Sequence, residues 1–172
     1  SSEPIQPNMN NDLKKEKRRC HVVLMCGLPG AGKSTLANCL ETHFETGVAR
    51  IEYDALVTER LRAYQDSNEL EAWRWARGEA LRRLRSILTT TTTELPALIL
   101  LDDNFHLRSM RRNVYHECQR VLAEKEIWVD MTCLWVDTPL QTCLLHNETR
   151  DKSRRIPPHV ITKMSHTLEP PS

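Results

Sequence analysis

Apolar positions fall into short runs separated by helical-period stretches. HVVLMC at 21–26 is a β-branched, apolar run of the kind that forms a buried strand. Glycine-rich sequence follows at once, and then STLANCLETHF, in which Leu36, Leu40 and Phe44 recur at helical spacing. VARIEY at 48–53 predicts a second strand ending at Asp54. Helical patterns are predicted from Ala55 to Tyr64 and from Asn68 to Leu88, where Trp73, Ala76, Ala80, Leu84 and Ile87 form one stripe and arginines fill the other face. The threonine run at 89–93 is too β-branched to prolong that helix, and Pro96 closes the segment. ALILL at 97–101 predicts a strand covered on both faces. Val114, Cys118, Val121 and Leu122 predict a helix, IWVDMTCLWVD a fourth strand, and LQTCLLHN another helix. Strands alternating with helices predict an α/β fold with a parallel, doubly wound sheet.

Composition narrows the picture. A chain of 172 residues, 40% hydrophobic and 27% charged, is the size of one domain with one core. Residues 1–19 read as a disordered, basic leader ahead of a domain at 20–172: SSEPIQPNMNNDL is polar, and KKEKRR adds a solvated charge run. A net charge of +1 gives no whole-surface case for binding a polyanion. Cys20, Cys26, Cys39, Cys118, Cys133 and Cys143 lack paired spacing and are expected to be reduced and mostly buried. With no membrane-spanning stretch and no signal-peptide pattern, a soluble, cytoplasmic protein is expected. The seven histidines show no metal-ligand spacing, His106 and His116 read as helix-surface residues, and the four tryptophans read as core or groove wall.

Chemistry concentrates in GLPGAGKS, which fits the G-x-x-x-x-G-K-[ST] phosphate loop between a strand and a helix. Gly27, Leu28, Pro29, Gly30, Ala31 and Gly32 would wrap backbone N–H groups around a polyphosphate. Lys33 would reach the β- and γ-phosphates, Ser34 would ligate magnesium, and Thr35 would add a hydroxyl for the α-phosphate. ATP and Mg2+ are therefore the expected cofactors. Asp54, at the ligand-binding edge of the sheet, can take a proton from an acceptor hydroxyl or cap the following helix. Asp102 ends the third strand in the manner of a magnesium-side carboxylate, with Asp103 the alternative, since successive strand residues face opposite sides. RDKSRRIPP at 150–158 lies on a mobile connection that could swing arginines onto a transferring phosphoryl group.

GLPGAGKST, YD at 53–54, W-x-x-x-R-x-E-x-L at 73–81, LDDNF with SMR and VY from 101 to 115, and PLQTCL with its following arginines occur in that order. Together they resemble the O-phosphoseryl-tRNA(Sec) kinase family, from about residue 21 to residue 170. That family moves the γ-phosphate of ATP to the serine hydroxyl of seryl-tRNA(Sec), a step toward selenocysteine. The resemblance implies a P-loop kinase-like three-layer α/β/α fold, with seryl-tRNA(Sec) as acceptor. It further implies Asp54 as general base, Asp102 or Asp103 beside magnesium, and Arg150 with Arg154 as lid arginines, Arg155 being a third candidate. Arg77, Asn104 and Arg111 match family positions as substrate-side residues, whereas Arg108 and Arg112 match none. His146 stands where the family pattern has an arginine. Four strands are legible where the family implies five, and the family's C-terminal tRNA-binding domain has no counterpart here, so weak discrimination among tRNAs is expected. A kinase for another hydroxyl, such as a polynucleotide 5′ end, and a nucleotide-switched accessory ATPase of tRNA modification are the alternatives.

Overall fold

The apolar run at 21–26 forms the inner part of a longer strand, β1 (Arg18–Cys26). The computed structural model describes residues 18–44, 47–64, 68–90, 94–125 and 127–171. Most of the expected leader, residues 1–17, and threonines 91–93 lie outside the described residues. Arg18 and Arg19, assigned to the leader from sequence, are instead the first residues of β1, paired with Ile127 and Trp128. Extended backbone there lets β1 run alongside the whole of β4 (Ile127–Trp135).

Among the described residues the sheet has four parallel strands in the order β2-β3-β1-β4, with β2 at Val48–Glu52 and β3 at Leu98–Asp102. Side-chain alternation divides the core between its faces. Met25 and Leu100 pack with Ala37, Leu36 and Leu40 of α1 (Lys33–His43). Val22, Leu24, Ile99 and Leu101 pack on the opposite face, against α3 (Glu69–Thr89) and α4 (Arg108–Glu124). This is the three-layer α/β/α arrangement. The buried stripe of α3 is Ala72, Ala76, Ala80, Leu84 and Leu88. It is shifted from the expected one, so that Trp73 and Ile87 flank the core half-buried.

Three other expectations change. Helix α2 (Tyr53–Ala63) starts earlier than predicted, with Glu52 as its N-cap, so Asp54 lies in its first turn rather than at the cap. After α5 (Leu140–Glu148), the connection is followed by a helix not expected from sequence: Pro157 caps and Pro158 begins α6 (Pro158–Thr167). Proline fits there because its missing N–H would have had no helical partner. Finally, His106 lies in the turn before α4, half-buried with Nδ1 unpartnered. All six cysteines are free, and four are buried while Cys39 is exposed. No helix among the described residues is long and apolar enough to cross a membrane.

Candidate active site

The phosphate loop joins β1 to α1, and its shape is set by glycine at positions no other residue tolerates. Gly30 has φ of 84°, and a Cβ there would stand 2.3 Å from the Cys143 carbonyl oxygen of α5. His146 Nδ1 lies 2.9 Å from the Gly30 carbonyl oxygen, so α5 holds the loop from outside. The departure at His146 thus has a structural role: it contacts the loop where the family pattern has an arginine. Gly30→Ala is expected to push the loop off α5, lowering the melting temperature and weakening ATP binding about tenfold or more, as strained positions of this kind cost about 1–3 kcal/mol. Isothermal titration against ATP, beside a thermal melt, checks this; unchanged affinity would show that the tight contact does not shape the loop.

Lys33 is buried and folded back on its own loop. Its Nζ donates to the carbonyl oxygens of Gly27 at 3.1 Å and Leu28 at 2.7 Å, and to Asn104 Oδ1 at 2.8 Å. Burial lowers its pKa to about 8, against the opposing pull of Asp102 and Asp103. Asn104 is therefore joined to the loop lysine, and its carbonyl oxygen accepts from Gly27 N at 3.0 Å. Ser34 and Thr35 are exposed at the start of α1, Ser34 lining the cleft.

The two aspartates differ in their partners: Asp102 is the last residue of β3 and Asp103 lies just beyond it. Asp102 shares the α1 face with Leu100, where Arg50 of β2 reaches it at 2.5 Å. Arg50 also pairs with Glu41 at 3.0 Å and Glu52 at 2.6 Å. Burial works against the Arg50 charge, but Asp102 and Glu41 outweigh it and raise its pKa. Asp103 is the carboxylate left open: its Oδ2 is buried and has no hydrogen-bond partner. Desolvation raises its pKa to about 6; an Asn104 backbone hydrogen bond opposes this and the Asp54 charge adds to it, with Arg77 and Lys33 countering. The preference for Asp102 drawn from strand position therefore meets its alternative, Asp103, as the carboxylate without an ion pair among the described residues.

One cleft of about 970 Å³ brings together Lys33, Ser34, Asp54, Asp102, Asp103 and Asn104 with Arg150 and Arg154. The carboxylate of Asp54 is exposed and makes no hydrogen bond or ion pair among the described residues; Thr58 Oγ1 donates to its backbone oxygen instead. The segment between α5 and α6 carries a short 3-10 turn, Lys152–Arg154, and is clipped at its base by buried Asn147. That side chain donates to Ile156 O at 2.7 Å and accepts from Ile156 N at 3.0 Å. Arg155 Nε donates to Arg150 O at 2.8 Å and does not line the cleft, which leaves Arg150 and Arg154 facing it.

Two substrate-side expectations change. Arg111 is buried in α4, and its guanidinium donates to Phe105 O at 2.7 Å. It holds the turn that carries Asn104, where buried Phe105 has φ of 44° and packs edge-on against Tyr53. Arg77 is exposed on α3 and acts on Asp103 through its charge, but is not part of the cleft wall. Arg50, Thr58, Glu59, Arg62 and Asn147 were not singled out by sequence; only folding places them at or behind the cleft.

Among the described residues no three His, Cys, Asp or Glu side chains converge on a point that could hold a metal by themselves. Ser34 and the unpartnered oxygen of Asp103 fit magnesium of the kind that takes most of its ligands from phosphates and water.

Similar proteins agree with this architecture. Human L-seryl-tRNA(Sec) kinase is 26% identical over 206 residues, covering 90% of this chain and 57% of its own length. The chain thus spans a little over half of that relative. A solved putative kinase from Chloroflexus aurantiacus superposes with a TM-score of 0.62 at 13% identity, covering 84% of this chain and 74% of its own. The APS kinase of Mycobacterium tuberculosis, solved with AMPPNP and APS, gives 0.53 at 24% identity, covering 77% and 70%. A family model described as "AAA domain" matches residues 22–171, nearly the whole described fold. With that match, the parallel sheet and the loop around Lys33 in hand, the chain belongs to this AAA domain family and is built as a P-loop kinase domain.

Proposed function

We propose that this chain is the phosphoryl-transfer domain of an ATP- and magnesium-dependent kinase acting on the serine hydroxyl of seryl-tRNA(Sec). The observation that carries the reading is the carboxylate of Asp54 in the same cleft as the Lys33 loop and Arg150 and Arg154, all three side chains without an ion pair among the described residues. Similarity to the human enzyme supports the choice of acceptor.

The loop N–H groups and the α1 N-terminus bind the polyphosphate, and Lys33 turns from its carbonyl partners to the β- and γ-phosphates. Asp54 accepts the proton of the acceptor hydroxyl as that oxygen bonds to the γ-phosphorus. The bond from this phosphorus to the β–γ bridging oxygen breaks, and ADP leaves. Arg150 and Arg154 offset charge on the transferring group and exclude water. Magnesium, when bound, neutralises phosphate charge. Ser34 and Asp103 are the groups that would hold it, Asp102 being paired with Arg50.

The test offers γ-labelled ATP with seryl-tRNA(Sec), free serine, an RNA 5′-hydroxyl and water side by side. Label on the seryl group is the expected result. Transfer to the RNA end would make this a polynucleotide kinase, and label on water alone would make it a nucleotide-switched ATPase; either overturns the reading.

A further inference from the structure

The cleft extends well beyond the phosphate loop, along α2 to Trp73 of α3. Asp54, Thr58 and Arg62 lie four residues apart along α2 and all line it. At a rise of 1.5 Å per residue, Arg62 stands about 12 Å from Asp54 along the helix. Ala55 and Ala63 line the same wall, and their small side chains leave the space beside it open. Arg62 is exposed and has no acidic partner among the described residues, in contrast to Arg83, which pairs with Glu59 and Glu79. Trp73 is half-buried: part of it packs on the core while the rest borders the cleft. Its neighbour Trp75 is occupied by the Arg60 guanidinium 5.5 Å from its ring.

The wall offers a carboxylate at one end, a guanidinium farther along α2 and an indole from α3, which suit an acceptor carrying a hydroxyl, an anion and a flat group. A small free alcohol would fill only the Asp54 end. We infer that Trp73 and Arg62 form the seat of a ribonucleotide to which the acceptor serine is attached, the base stacking on the indole and the phosphate meeting the guanidinium. This rests on the proposed seryl-tRNA reading and adds a determinant of the acceptor: the enzyme selects serine esterified to a nucleotide over free serine. Stacking on an aromatic ring is tolerant of base identity, because every base has a π-face. The seat therefore distinguishes an attached serine from a free one without selecting among tRNAs.

Steady-state kinetics on the full chain test it with Trp73→Ala, Trp73→Phe and Arg62→Gln. With seryl-tRNA, Trp73→Ala should raise KM for the acceptor about tenfold to a hundredfold, the range expected on losing a base stack, and Arg62→Gln should raise it through the lost phosphate contact, while KM for ATP stays unchanged in both. Phenylalanine should restore most of the loss. Unchanged acceptor KM in both Trp73→Ala and Arg62→Gln would overturn the inference while leaving the seryl-tRNA reading intact. So would a Trp73→Phe variant as impaired as Trp73→Ala with an equal fall in melting temperature, the mark of a packing role. If the wild type labels no seryl acceptor, that reading falls on its own, and the seat is decided by binding. A short single-stranded RNA retained by the wild type and lost by Trp73→Ala upholds it, and equal binding by the two refutes it.

Discussion

Asp54→Asn is expected to lower the rate of transfer by about 10²–10⁴-fold, the range for removal of a general base. The amide keeps the shape of the side chain but cannot take the acceptor's proton. Because Asp54 is not the N-cap of α2 and its side chain makes no hydrogen bond or ion pair among the described residues, the fold has little to lose. What it loses is an acidic residue in a first turn, worth about 0.3–1 kcal/mol. ATP affinity should be retained, since the loop around Lys33 is built from other residues. Single-turnover transfer to seryl-tRNA, beside ATP titration and a thermal melt, separates these effects. A loss of transfer smaller than about tenfold would remove Asp54 from the chemistry, because no general base contributes so little. Hydrolysis of ATP that survives the substitution in full would favour the switch-type ATPase instead.

What the sequence made legible was local. The phosphate loop announces itself because a strand, glycines at tight positions, lysine, serine and a helix are adjacent in the chain, and the structure keeps them adjacent. The central strands β1 and β3 were legible because parallel strands buried on both faces read as apolar runs, and the edge strands β2 and β4 because apolar residues still recur between their polar ones. What stayed hidden depends on residues distant in sequence. Asp102 and Asp103 were both legible as carboxylates at the strand end, but which of them is already paired is decided by Arg50, on the neighbouring strand. Arg111 carries the same signal as any arginine near a candidate site, and only its burial beneath Phe105 shows it holding a turn rather than facing an acceptor. Helix α6 was not anticipated: a Pro-Pro pair reads locally as part of a connection, yet the same residues can cap and begin a helix when the chain turns first. Arg62 and Trp73 meet only because α2 and α3 border one cleft, a juxtaposition no spacing within either helix encodes.

Arg50→Met should be the most destabilising of the changes proposed here, at about 3 kcal/mol. The side chains of Arg50 and Asp102 are 9% and 7% exposed, so removing the guanidinium leaves a carboxylate with little water and without its ion-pair partner, Lys33 acting on it only through its charge. That places the effect in the range of a broken buried pair, about 3–5 kcal/mol, and at its lower end because Glu41 and Glu52 are half-exposed and regain water on their own. For a domain of this size the melting temperature should fall by about 6–12 °C. The reason for the cost is specific and can be reversed. Replacing Asp102 as well, in Arg50→Met with Asp102→Asn, removes the stranded charge and should recover more than half of the lost stability. If the double variant is as unstable as the single one, the loss comes from packing around Arg50 and not from Asp102. The same pair bears on the site: with Arg50 gone, Asp102 is free to turn toward Ser34, and magnesium dependence of transfer should shift toward lower concentrations. An unchanged magnesium requirement in the Arg50→Met enzyme would mean that Asp103 already holds the metal without help, and that the pairing of Arg50 with Asp102 serves the sheet alone.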